Sequence, residues 1–338
     1  MIYNYKVGDF ISMSKKVFDV VLLNALPASG KSELRKFMNE NNPEQMINDF
    51  HIGENLQLDD FPYVFFERRI DEELMDLGLD PLFYDTVESP TLDGRDWGVL
   101  SCLLSEDYHD LINKNYVNPE SAAKYMFERI DRASIQAGIR PRLSLLDDKI
   151  RNELADRLEE HAQRLLDEKQ SQYKEDLTDK SIIIEFARGG SDGATMPLTG
   201  TFGYQYTYSM MSPDLLKHAA ILYIWVEPEE SRRKNDARYD PNDPGSSINH
   251  KTPDVVMYHD YGCDDIMYLK ETSDIEDTII VNCFGEKIYV PIGVYDNRID
   301  RTTQFRGPKE TWDPKVVQET VEAVSDATAR MWKNYNKD

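Results

Sequence analysis

Residues 18–38 constrain this chain more than any other stretch. An apolar run, Phe18-Asp-Val-Val-Leu-Leu, enters the small-residue turn Asn24-Ala-Leu-Pro-Ala-Ser-Gly-Lys-Ser, and the helix-forming segment Glu33-Leu-Arg-Lys-Phe-Met leaves it. A strand, a tight turn and a helix in that order gather backbone N–H groups and the positive end of a helix around one point. Such a point attracts phosphate oxygens. The spacing Ala25…Gly30-Lys31-Ser32 fits a phosphate-binding P-loop, with Ala25 where its first glycine is expected. Alanine tolerates positive φ poorly, so the opening turn is expected to be less extreme. Ala25, Leu26, Pro27, Ala28, Ser29 and Gly30 would then wrap the phosphates, Lys31 would reach the outer ones, and the Ser32 hydroxyl would hold magnesium. The expected ligand is a nucleotide.

Bulk properties narrow the partners. With 338 residues and 40% hydrophobic content, the chain can bury a sizeable core. A net charge of −23 disfavours nucleic acid and anionic membranes, both of which require a basic footprint. Cys102, Cys263 and Cys283 are far apart, which suits a reducing cytosol better than a disulfide framework. Neither a signal peptide nor an apolar stretch of about 18 residues is evident. The expectation is a cytoplasmic protein without membrane or nucleic-acid partners.

The order of elements reads as one α/β domain over residues 15–338. A first strand is expected over residues 17–23, then the loop, then a helix to about Asn41. Asn42-Pro43 reads as a break, and Gln45-Met-Ile-Asn-Asp-Phe as a short second strand ending at Asp49. Residues 54–178 read as a mainly helical insertion, the region expected to bind an acceptor. Ile150, Leu154, Leu158, Ala162 and Leu165 there mark one apolar helical stripe. Apolar strands return at Ser181-Ile-Ile-Ile-Glu-Phe and Ala219-Ala-Ile-Leu-Tyr-Ile-Trp, and again across residues 278–295. Continuous apolar strands alternating with helices predict a mostly parallel sheet covered on both faces, a three-layer sandwich. Ligands of such sheets gather at the strands' carboxyl ends.

The residues at those ends are therefore the candidates. Asp49, with His51 two residues on, would accept the proton of an attacking hydroxyl or position magnesium through water. Glu185 closes the next apolar strand, where an acid holds a water on magnesium or acts as base; Arg188 follows it. After Val226 come Arg232, Arg233, Lys234 and Arg238, a basic cluster in an acidic protein. Arginines that close over transferring phosphate can contribute about 10³–10⁵ in rate. With the turn-rich Asp240-Pro-Asn-Asp-Pro-Gly behind them, they read as a lid over residues 228–262. The aromatic, glycine-rich run at residues 199–209 would line a pocket for a planar or sugar-like acceptor. The histidines show no zinc-site spacing.

Loop, acid after the second strand, glutamate closing the third and arginine helix after the fourth together resemble the nucleoside, nucleotide and small-molecule kinase branch of P-loop proteins. Gluconate kinase, deoxynucleoside kinases and zeta-toxin kinases share this plan. The resemblance implies sheet order 2-3-1-4-5, ATP with Mg2+, and a small-molecule hydroxyl or phosphate as acceptor. It places Lys31 and Ser32 on phosphate and metal, Asp49 facing the acceptor, Glu185 near metal or acceptor, and Arg232, Arg233 and Arg238 in the lid. The expected activity is ATP-dependent phosphoryl transfer. The alternatives are a regulatory NTP-hydrolysing ATPase and a nucleotide-binding protein without turnover.

Overall fold

The chain's apolar strands assemble into a six-stranded sheet of order β2-β3-β1-β4-β6-β5 in the computed structural model, which describes residues 16–238 and 251–335. The strands are β1 (Val20–Asn24), β2 (Glu54–Asp59), β3 (Lys180–Phe186), β4 (Ala219–Trp225), β5 (Thr278–Cys283) and β6 (Glu286–Asp296). All neighbours are parallel except β5 and β6, which form an antiparallel pair. The broad α/β expectation holds, but the order differs from 2-3-1-4-5 because the chain turns back on itself at residues 284–285. Pro291, which has no N–H to give a ladder, pairs with Thr278 on β5, and pairing with β4 starts one residue later at Ile292. The segments either side of Pro291 are thus one long strand, and β5 is an added edge.

Alternation along β1 explains the layers. Val20 and Leu22 join a core with Tyr204, Tyr208 and Leu215 on one face. Val21 and Leu23 join Leu34, Phe37, Val324 and Met331 on the other. The second face is covered by α1 (Lys31–Glu40), α2 (Pro43–Phe50) and α12 (Pro314–Tyr335), whose buried residues fall at helical spacing.

The expected second strand is in fact helix α2. Asn42 caps it, its side chain accepting the Glu44 N–H at 2.8 Å, and Pro43 takes the first helical position, where a missing N–H costs nothing. Asp49 therefore lies exposed on a helix, away from the sheet's carboxyl ends. His51 ends that helix with φ 55° and stacks on Trp332 at 4.0 Å, which is a packing role. The true second strand is β2, which falls inside residues 54–178, so the helical part of that span starts after Asp59.

Four helices fill the span: α3 (Phe61–Asp76), α4 (Asp96–Asn113), α5 (Ala122–Gln136) and α6 (Asp148–Ser171). They share a core of their own around Phe66, Leu103, Phe127 and Leu158. The apolar stripe read from α6 is buried at Leu154, Leu158, Ala162 and Leu165. Inside the bundle Asp107 accepts from Arg129 at 2.6 Å and Tyr63 at 2.7 Å and pairs with Lys169 at 2.9 Å. Those contacts tie α3 to the other three helices, so the first turn after β2 is firmly anchored. Among the described residues no helix is long and apolar enough to cross a membrane.

Candidate functional site

The loop between β1 and α1 is shaped by side chains that hold its carbonyls. Tyr204 on α7 (Gly203–Ser209) donates to Ala25 O at 3.0 Å. Ser231 on α9 (Pro228–Ala237) donates to Pro27 O at 2.7 Å, and Asn297, just after β6, to Ser29 O at 2.9 Å. Within the loop, Ser29 Oγ donates to Leu26 O at 2.5 Å. These contacts fix the path of the loop through four of its carbonyls. Ala25 is buried and its φ is not positive; the loop residues with positive φ are Ala28 at 55° and Gly30 at 101°. The first motif position therefore needs no glycine here, whereas Gly30 does. A Cβ there would also lie 2.2 Å from Thr302 Oγ1. Gly30 caps α1 and, having no side chain, gives no hydrogen bond of its own to the first amides of that helix.

An open cleft of about 1410 Å3, counted with the solvent at its mouth, runs from this loop toward the helical bundle, and Lys31, Ser32, Asp59, Asp60, Glu185 and Arg238 line it. Sheet register brings the acids together. Asp59 and Glu185 are paired positions on β2 and β3, and Leu23 pairs with Glu185 on the other side, one residue before the β1 end. Glu185 is buried and salt-bridged to Arg35 of α1 at 2.9 Å. Burial raises its pKa above the usual glutamate value, while Arg35 and Lys31 pull it back. Asp59 has less help. Burial first, then the neighbouring Glu185 and Asp60 carboxylates, push it up to about 7, against a hydrogen bond from the Phe61 N–H. Lys31 donates weakly to Ala25 O and Leu26 O, both at 3.4 Å. Burial lowers its pKa; Glu185 and Asp59 raise it.

The other candidates separate. Arg188 is buried, paired with Asp60 at 2.6 Å and stacked 4.9 Å from the Trp97 ring. It buttresses Asp60 and is not on the cleft wall. Arg232 pairs with Asp192 and Glu229, both at 3.3 Å, and Arg233 pairs with Glu230 at 2.7 Å; neither reaches the cleft. Arg238 does, and burial lowers its pKa to about 10. Of the expected lid, residues 239–250 lie outside the described residues. The aromatic run at residues 199–209 does not line the cleft: Tyr204 and Tyr208 are buried under the loop, the latter donating to Asn24 Oδ1 at 2.8 Å.

Sequence reasoning missed Asp59, Asp60 and Arg35. The signal for the acids was present: Leu56 and Leu58 alternate toward an acid pair that precedes the helix start Phe61-Pro62. Among the described residues no group of three or more His, Cys, Asp or Glu could hold a metal ion. The chain matches no family model, no curated protein and no solved structure.

Proposed function

We propose that this chain is an ATP-dependent phosphotransferase of the P-loop kinase kind, acting on a small-molecule acceptor. One observation carries the reading: the strand-to-helix loop, with Lys31 and Ser32, shares a cleft with Asp59, an aspartate held near neutral pH. General bases work best with a pKa near the operating pH, and perturbed carboxylates concentrate at working sites. Taking β6 as the fifth parallel strand, the order β2-β3-β1-β4-β6 also agrees with the 2-3-1-4-5 plan, with β5 an addition to it.

In this reading the loop amides and Lys31 take the triphosphate, and Arg238 covers it. Ser32, with Glu185 acting through water, is the place for magnesium, which when bound neutralises phosphate charge. Asp59 takes the proton of the acceptor hydroxyl as its oxygen bonds to the γ-phosphorus. The bond to the β–γ bridging oxygen breaks, and that oxygen leaves with its electrons on ADP. Asp60, fixed by Arg188, and Glu185, fixed by Arg35, keep Asp59 in position and basic. Asp59 replaces Asp49 as the base.

Mass spectrometry of a metabolite pool incubated with Mg·ATP tests this. The expected result is one compound gaining one phosphoryl group, with the gain lost in Lys31→Ala. Phosphate release without any acceptor gaining mass would instead make the chain a hydrolase. Unchanged ATP affinity in Lys31→Ala would remove the loop from the reading.

A further inference from the structure

Three donors on the bundle side of the cleft keep N–H or O–H groups to give. Arg68, on α3, is the first. Its Nη1 donates to Thr86 O at 3.2 Å and Val87 O at 2.7 Å, and its Nη2 to Ser89 O at 3.1 Å, with the guanidinium 4.0 Å over the Tyr84 ring. Those carbonyls hold the group in place without neutralising it, and among the described residues no acid pairs with it. Its Nε–H is neither bonded nor enclosed. The other two are the Trp97 indole N–H and the hydroxyl of Tyr261, just after α10 (Asp254–His259). Neither makes a hydrogen bond among the described residues, and neither is enclosed. All three residues line the cleft.

These donors sit together. Tyr261 meets Trp97 edge-on at 5.9 Å. Burial raises the Tyr261 pKa while the Arg188 and Arg68 charges pull it back, so the hydroxyl keeps its proton and lies within electrostatic reach of Arg68. Their frame is anchored: Asp71, one turn beyond Arg68 on α3, accepts from the Leu82 N–H at 2.6 Å and the Tyr84 N–H at 2.7 Å, which fixes the chain leading to the three carbonyls. The acids nearby are occupied. Asp60 is paired with Arg188 at 2.6 Å, and Asp260, 2% exposed, accepts from His259 Nδ1 at 2.7 Å. An unmatched guanidinium beside two neutral donors is an arrangement that takes an oxyanion, and its planar fork suits carboxylate or phosphate. The same wall leads back to the proposed base: the Trp97 ring lies 4.9 Å from the guanidinium of Arg188, which holds Asp60, the neighbour of Asp59.

Resting on the phosphotransferase reading, we infer that the acceptor is a hydroxyl compound with an oxyanion of its own, a phosphate monoester or a carboxylate, bound by Arg68, Tyr261 and Trp97 at the bundle end of the cleft. The anion orients the molecule with its hydroxyl toward Asp59. An uncharged acceptor would leave the Arg68 charge unmet and lose that anchor.

Calorimetry on the full chain separates the two levels. Mg2+ with a non-hydrolysable ATP analogue is titrated first and reads the loop. Into that saturated complex go phenyl phosphate and benzoate, with phenol and benzamide as their uncharged counterparts. At least one anion should bind about 10-fold or more tighter than its counterpart, and the better of the two names the group the acceptor carries. Arg68→Gln should weaken that anion by about 10- to 100-fold, the range for a hydrogen bond to a charged group, while the analogue binds as before. Tyr261→Phe should weaken it by about 3- to 10-fold. Should Arg68→Gln not fold, Tyr261→Phe decides, since it removes only a hydroxyl that bonds to no described residue. Uncharged members binding as tightly as the anions, no anion bound beside the analogue, or anion affinity unchanged in the variants overturns the assignment. Failure to bind the analogue would sink the kinase reading and the acceptor role with it; anion binding to the unloaded chain, lost in Arg68→Gln, would then mark an oxyanion site of another kind.

Discussion

Replacing Asp59 by asparagine tests the site without knowledge of the acceptor. In the unfolded chain this carboxyl titrates near 3.8; in the folded chain burial, Glu185 and Asp60 hold it at about 7. Between those values the folded state keeps a proton that the unfolded state has released. Stability therefore falls as pH rises through that window and stays low above it. The gap is 7 − 3.8 = 3.2 units, and at about 1.36 kcal/mol per unit the ceiling is about 4 kcal/mol. Because Asp59 and Glu185 titrate together, about half of that, roughly 2 kcal/mol, is the expected share of Asp59 alone. Asparagine carries no charge at any pH. Asp59→Asn should thus be more stable than the parent at pH 8 by about 2 kcal/mol, a few degrees at most in Tm for a chain of this size. The advantage should shrink steadily in melts at pH 7, 6 and 5. Turnover should move the other way, down by about 10²–10⁴, the usual loss for a general base. In the parent it should fall with acidity below about pH 7. A variant that is less stable at pH 8, or whose advantage does not change with pH, would mean the carboxyl is not held near neutrality and the argument for a base is wrong.

Arg238→Ala should cut turnover far more than Arg233→Ala, since only the first lines the cleft; equal effects in steady-state assays would contradict that division. Arg188→Ala, which strands a buried Asp60 carboxylate, should lose about 3–5 kcal/mol in urea melts, and adding Asp60→Asn should restore part of it; no restoration would show that Arg188 acts by its ring contacts alone. Gly30→Ala should abolish tight binding of Mg·ATP in calorimetry, because the left-handed backbone and Thr302 both oppose a Cβ; retained affinity would mean the loop shape is not what binds.

What the sequence revealed depended on how local the physics was. The loop from Ala25 to Ser32 was legible because an apolar strand, a run of small residues and a helix start follow one another directly there. Glu185 was legible because an acid ending Ile182-Ile-Ile stands out. β2 was not: as the sheet's edge strand it buries only Leu56 and Leu58 and looks polar. Met46 and Phe50 made the preceding segment look more strand-like, although their four-residue spacing is helical and Asn42-Pro43 begins that helix. Asp49 inherited its assigned role from that displacement. The α9 arginines misled differently: Arg232 and Arg233 find acids one turn back on their own helix, the ordinary arrangement for a charged helix surface. Asn297 holds the loop through long-range proximity that no local pattern encodes.

The clamps on the loop carbonyls also set an order of events in the folding of this chain. Tyr204, Ser231 and Asn297 lie 179, 204 and 268 residues beyond the carbonyls they hold. Each closure over such a distance is slow and yields nothing until the sheet between has formed. A nascent chain still short of Asn297 has every residue of the loop and lacks its last restraint. In the proposed reading, the capacity to hold a nucleotide thus matures late, after β6 has docked beside β4. Nucleotide added to a refolding chain would report completed folding rather than guide it.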